Sequence, residues 1–302
     1  MVRAIPNREL ITVTANGSRL RGTYHKTPDG QRQSRTGVLF INSGYTPRAA
    51  FGDAAVAWAD SFAQQGYPCF RLDLPGLGDS EGTLPQTWLE LSDLINNGYF
   101  VSYVSGAARN LADRYRLSGM VVIGNCGGAI SAVYAAAASD SIQGVVLLDP
   151  YFFRNEEQRP ALRQELSLWV TRNKMAGHLS KIYKRVRRFN VLITTQRVPA
   201  NANLTLLRSW QRVANSGKPM LVLDAKGREN RGPFDYFAYL EEVSSPQSRV
   251  EVKSIAGAHH SFGDAVGRAA VRDYTAQWLD ACFGAAAQEM PSHPPQLAVD
   301  HE

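Results

Sequence analysis

The chain has 302 residues, 44% of them hydrophobic and 20% charged, with a formal net charge of +6. This is a globular mix, long enough for one large α/β domain with an insertion and able to bury its core without covalent staples. Cys69, Cys126 and Cys282 are far apart and odd in number, which excludes a disulfide framework and a zinc-ligand pattern and predicts a reducing, cytoplasmic setting.

Ile11 to Ala15 alternates and is rich in β-branched residues, Asn16-Gly17 follows, and Ser18 to His25 completes an expected hairpin. Val38 to Asn42 reads as a buried strand, Ala54 to Gln65 as a helix closed by Gly66, and Cys69 to Leu74 as a strand broken by Pro75-Gly76. Ser105 to Arg116 has helical character. Met120 to Ile123 is a continuous apolar run of the central parallel kind, followed by an Ala-rich helix over Gly127 to Ala138. Val145 to Leu148, Met220 to Leu223 and Val250 to Ile255 are further strands, Asp235 opens a helix, and Gly267 to Phe283 closes the domain. The resulting expectation is an α/β fold with a mostly parallel sheet covered by helices on both faces, and a long excursion after the sixth strand. Residues 1–150 and 218–285 would form the core, 151–217 a basic helical lid, and 286–302 a disordered tail. No apolar run is long enough for a membrane helix, and the mixed, polar N-terminus does not read as a signal peptide.

The charge is concentrated. No acidic residue lies between Glu165 and Asp224, a stretch that holds eleven lysines and arginines, so the rest of the chain is net acidic.

In such sheets, chemistry gathers outside the carboxyl ends of the strands. After Val121-Val122-Ile123 comes Gly124-Asn125-Cys126-Gly127-Gly128 and then a helix. A nucleophile on so tight a turn needs small residues two positions away on either side. The turn also places the thiol at a helix N-terminus, where thiolate is favoured. A base must come from another strand end, and His259-His260 follow the last strand; His260 is the candidate, with His259 the alternative. Four carboxylates compete to orient the base: Glu229, taken first, then Asp224, Asp149 and Asp235. The Gly127 N–H would be one oxyanion donor, and the loop after Val38 to Asn42 would supply the second from Tyr45 or Gly44. Asn125 beside the thiol, with Trp169 and Tyr183 in the basic stretch, would contact substrate.

With these residues in place, the chain from residue 8 to 283 resembles the α/β-hydrolase superfamily. Arg71-Leu72-Asp73-Leu74-Pro75-Gly76-Leu77-Gly78-Asp79-Ser80-Glu81-Gly82 is similar to the Asp-x-x-Gly-x-Gly-x-Ser stretch after its fourth strand, and Gly-Asn-Cys-Gly-Gly to its nucleophile elbow with cysteine substituted. The pairing of a Gly-x-Cys elbow with a Gly-Asp-Ser-Glu loop resembles the exosortase-A-associated and serine aminopeptidase S33-like hydrolases; Asn42-Ser43-Gly44 departs from the His-Gly-Gly of common esterases. The choice of His260 follows from this resemblance, since its spacing to Phe262 is similar to the Gly-x-x-His-x-Phe of those relatives.

The expected function is acyl transfer through a cysteinyl thioester, by a thioesterase, esterase or acyltransferase that needs neither cofactor nor metal. Its substrate would be an acyl-thioester carried by coenzyme A or by an acidic acyl-carrier protein drawn to the basic lid. Two rival classes are a non-catalytic binding protein on the same fold and a nucleic-acid binder. The sequence holds no nucleic-acid motif, so specific nucleic-acid binding is not expected.

Overall fold

The computed structural model describes residues 7–30, 33–41, 44–154, 198–226 and 234–284. Eight strands form one sheet: β1 (Arg8–Ala15), β2 (Ser18–His25), β3 (Thr36–Ile41), β4 (Cys69–Leu72), β5 (Gly119–Asn125), β6 (Ile142–Leu148), β7 (Met220–Lys226) and β8 (Val250–Ala256). Their order across the sheet is β1-β2-β4-β3-β5-β6-β7-β8. β1 and β2 form the antiparallel hairpin turned by Asn16 and Gly17, both with positive φ. β2 pairs antiparallel with β4, and every pairing from β4 through β8 is parallel.

Seven helices are described: α1 (Ala54–Gln64), α2 (Trp88–Asn96), α3 (Val101–Tyr115), α4 (Gly127–Ala138), α5 (Leu204–Asn215), α6 (Tyr236–Val243) and α7 (Ala265–Phe283). Because strand side chains alternate and both faces of the sheet are covered by helices, the central strands carry unbroken apolar runs, Met120–Ile123 in β5 and Val145–Leu148 in β6. Met120 and Val122 of β5 face the core with α3, α4 and α5, while Val121 and Ile123 face the core with α1 and α7.

Two expectations change. α2 is an element that the apolar pattern alone does not announce. It is signalled by an N-cap: Thr87 Oγ1 accepts from the Glu90 N–H at 3.3 Å, and the same hydroxyl donates to the Glu90 carboxylate at 2.8 Å. The boundary of the basic insertion also moves. α5, expected within the lid, is part of the main core. Leu206, Leu207, Trp210, Val213 and Ala214 are buried there, and the helix packs against α4. Asn203 anchors its start. The amide accepts from the Leu206 N–H and donates to Asn96 Oδ1 at 2.9 Å, tying α5 to α2. Residues 155–197 of the expected lid, with Trp169 and Tyr183, lie outside the described residues, as do Glu229 and the tail 286–302. No helix among the described residues is long and apolar enough to cross a membrane.

Candidate active site

Cys126 follows the last residue of β5 and caps α4 with φ 53° and ψ −114°. A non-glycine residue there is strained, and the turn persists only because its surroundings fix it. The flanking glycines explain how. A Cβ on Gly124 would stand 2.4 Å from both the carbonyl carbon and oxygen of Gly128, so strand and helix meet where no side chain fits. A Cβ on Gly127 would stand 2.8 Å from Ile95 Cδ1 of α2. The Cys126 N–H donates to the Leu148 carbonyl at 2.9 Å, holding the elbow to the end of β6. The thiol residue is 7% exposed at the N-terminal end of α4.

Asp149 is the next residue beyond β6, fully buried, with φ 46°. Its N–H donates to the Leu223 carbonyl of β7 at 2.8 Å, which fixes the carboxylate between the ends of β6 and β7. Asp149 Oδ2 accepts a hydrogen bond from Nδ1 of His260, a half-buried residue in the loop after β8. With Nδ1–H committed to the carboxylate, Nε2 is the nitrogen left to accept a proton.

The loop itself is tightly specified. Asp264 caps α7 and accepts from the N–H groups of Gly267 and His259, each at 2.8 Å. Partial burial works against its charge, but these backbone donors prevail and hold its carboxyl below the ordinary value. His259 is exposed and folds back on the loop, its Nδ1 2.9 Å from Ser261 Oγ. His260, not His259, therefore faces the buried acid.

The structure brings Asp149 to the imidazole, where Glu229 was placed first among the four acids. Two of the other candidates have separate partners: Asp224 accepts from Ser254 Oγ at 3.4 Å, and Asp235 caps α6 through the N–H groups of Phe237 and Ala238. Asn125 also has an occupation different from the one expected. Its side chain donates to the main-chain carbonyls of Leu148 and His260, at 3.3 and 3.0 Å.

The loop after β3 carries Gly44 and Tyr45. Gly44 has φ 52°, and a Cβ there would stand 2.7 Å from the Trp88 ring. The Tyr45 hydroxyl bonds the carbonyls of Pro85 and Thr87, at 2.6 and 2.9 Å. Three residues on, Arg48 anchors the loop, a role the sequence reading did not assign. Its N–H donates to Asp73 Oδ1 at 2.7 Å and its guanidinium to Oδ2 of the same buried carboxylate, while Arg71 Nη1 donates to the Arg48 carbonyl at 3.0 Å. Asp73 belongs to the Asp-Leu-Pro-Gly-Leu-Gly-Asp-Ser stretch, and Gly78 lacks a Cβ where one would stand 2.2 Å from that carboxylate. Thr46, Pro47, Arg48, Asn125, Leu148 and Ser261 converge on one cavity of about 30 Å³. The β3 loop, the elbow and the histidine loop thus meet at one end of the sheet. Among the described residues no cluster of histidine, cysteine or carboxylate side chains could hold a metal ion.

The fold has known counterparts. Comparison with curated proteins finds no match. Among solved structures, the esterase Pf2001 of Pyrococcus furiosus superposes with a TM-score of 0.62 at 15% identity, over 92% of either chain. DcsB, in complex with its substrate analogue, gives 0.62 at 13% identity over 92% of this chain and 100% of that one. A dienelactone hydrolase from Anabaena variabilis gives 0.55 at 17% identity over 91% and 98%. At these identities the likeness is one of fold. The family model for the alpha/beta hydrolase fold matches residues 40–211, more than half of the chain and including the elbow and Asp149. The chain belongs to the α/β-hydrolase fold family.

Proposed function

We propose that the protein is an acyl-transfer hydrolase in which Cys126 is the nucleophile, His260 the general base and Asp149 the acid that orients it. The observation that carries this reading is the Asp149–His260 pair, delivered from the ends of β6 and β8 to the side of the sheet where Cys126 sits on a strained elbow. In the reaction, His260 Nε2 takes the Cys126 thiol proton as sulfur attacks the acyl carbon. The Gly127 N–H and a backbone N–H from Tyr45 or Gly44 receive the developing oxyanion. Collapse of the tetrahedral intermediate breaks the bond to the leaving group, which takes the proton from the imidazolium. Water or an acceptor alcohol or amine, deprotonated by His260, then attacks the thioester and regenerates the thiol.

Thiol attack on a thioester exchanges like for like, so acyl-thioesters of coenzyme A or of an acyl-carrier protein are the substrate class that suits a cysteine here. The esterase and the dienelactone hydrolase among the fold neighbours support ester chemistry in the same frame. The eight cations between residues 166 and 197 would draw either polyanionic carrier toward the site. Release of coenzyme A from acyl-CoA substrates, followed with a thiol-reactive dye, tests the reading. Turnover by the wild-type protein that is lost in both Cys126→Ala and His260→Ala is expected. Equal turnover by all three would remove Cys126 and His260 from the reaction, and no turnover by any of them would leave Cys126 a packed apolar residue of a binding protein.

A further inference from the structure

Asn125 lies between the three groups that the proposed reaction needs. It precedes Cys126, and its side chain reaches the main chain on both sides of the Asp149–His260 pair, at Leu148 and at His260 itself. Two carbonyl oxygens face the same side-chain atom. That fixes the amide orientation, because only the NH₂ group offers two donors, and an oxygen turned toward two oxygens would be repelled. The Leu148 carbonyl also accepts the Cys126 N–H at 2.9 Å, so elbow, acid and base share one small hydrogen-bonded unit. With both donor hydrogens directed at backbone, the NH₂ group is committed and offers none to a substrate.

We propose that Asn125 is a positioning residue. It fastens the His260 loop to the end of β6 and so holds the imidazole at the separation from Asp149 and Cys126 that proton transfer requires. This rests on the catalytic reading above and goes beyond it, since no contact with substrate is involved. Among the described residues β8 is an edge strand with most of its residues exposed, so the loop that follows it has no described strand on its outer side. Asn125 supplies a tether from the inner side. A displacement of the base by about 1 Å costs on the order of a hundredfold in rate.

The test uses the full chain and iodoacetamide, which needs no knowledge of the natural acyl group. Alkylation of Cys126, read by intact mass across roughly pH 5 to 9, follows the thiolate that His260 helps to form. In Asn125→Ala, the midpoint of the rate profile is expected to move upward. Turnover of an acyl-CoA should fall about 10- to 100-fold in kcat, with KM within about twofold of wild type. Asn125→Asp keeps the shape but turns a carboxylate toward two carbonyl oxygens, so its profile should shift at least as far. In the wild-type protein, the Asn125 side-chain amide protons should exchange slowly with solvent, a measurement that requires no variant. A rise in KM alone, an unshifted alkylation profile in both variants, or fast exchange of those protons would overturn the assignment. Full turnover by Cys126→Ala would instead overturn the catalytic reading beneath it.

Discussion

At the scale of single residues, burial decides which charges can act. Asp149 is fully buried and its carboxylate is engaged by His260, so its removal takes away the acceptor that sets the tautomer of the imidazole. Asp149→Asn preserves shape, and the fold should survive. Turnover of an acyl-CoA should nevertheless fall by about 10³- to 10⁴-fold, a loss comparable to that of a triad base held in the wrong tautomer. A loss smaller than about tenfold would show that the pair is not catalytic. A second buried histidine behaves differently. His25 Nδ1–H donates to Asp60 at 2.6 Å, and Nε2 accepts from Arg71 Nε at 2.8 Å, an arrangement that only the neutral ring can make. Burial pushes its pKa down to about 4, with the Asp60 bond opposing and the charge of Arg71 adding to the shift. The unfolded chain takes up this proton near its ordinary value and the folded one does so only lower. The stabilisation is therefore complete above about pH 6.5 and is lost as pH falls toward 4, amounting to ~2–3 kcal/mol at most. Urea denaturation at pH 7 and pH 4.5 should show that drop, and His25→Gln should flatten it. An equal pH dependence in the variant would assign the effect to other groups.

The elements place these residues and also explain which of them the sequence made legible. The elbow was readable because it is local: an apolar run, two glycines at fixed spacing and a helix follow from steric need alone. The strands were readable for the same reason, as periodicity and chain breakers lie within a few residues. The acid was not, because four carboxylates follow strands or open helices, and only tertiary pairing distinguishes Asp149 at the end of β6 from Asp235 capping α6. Asn125, expected to meet substrate, bonds the main chain, and a donor beside a nucleophile looks the same in sequence in either case. α5 was misplaced because cationic Arg208 and Arg212 share the helix with Trp210 and Leu207, whose burial in the core outweighs the impression of a charged segment. Arg48 acts through its loop. Its anchoring on Asp73 and Arg71 fixes the loop that also carries Tyr45 and Gly44, the proposed source of the second oxyanion donor. Arg48→Ala should reduce acyl-CoA turnover about 100-fold, the scale of a lost oxyanion donor, while alkylation of Cys126, which forms no oxyanion, continues unchanged. A parallel loss of both rates would mean that the substitution disturbs the elbow and not the donor loop.

For the molecule as a whole, charge is the unevenly distributed quantity. One stretch of sequence holds eleven cations and no acid, and the remainder is net acidic. If this stretch recruits an acidic acyl-carrier protein, kcat/KM should fall steeply between about 0.05 and 0.5 M salt, as the Debye length shrinks through the range of steering. The same acyl group on a small neutral thioester should show little dependence. Equal salt sensitivity for the two substrates would contradict steering while leaving the chemistry of the elbow untouched.

That chemistry has a direct signature, the bond between Cys126 sulfur and an acyl carbon. Intact-mass spectrometry of the protein mixed with a panel of acyl-thioesters should show a gain equal to the acyl group on wild type. The gain should be absent from Cys126→Ala and should persist longest in variants slow to release it. An acyl adduct that forms equally on Cys126→Ala, or adducts confined to Cys69 and Cys282, would contradict a nucleophilic role for the elbow cysteine.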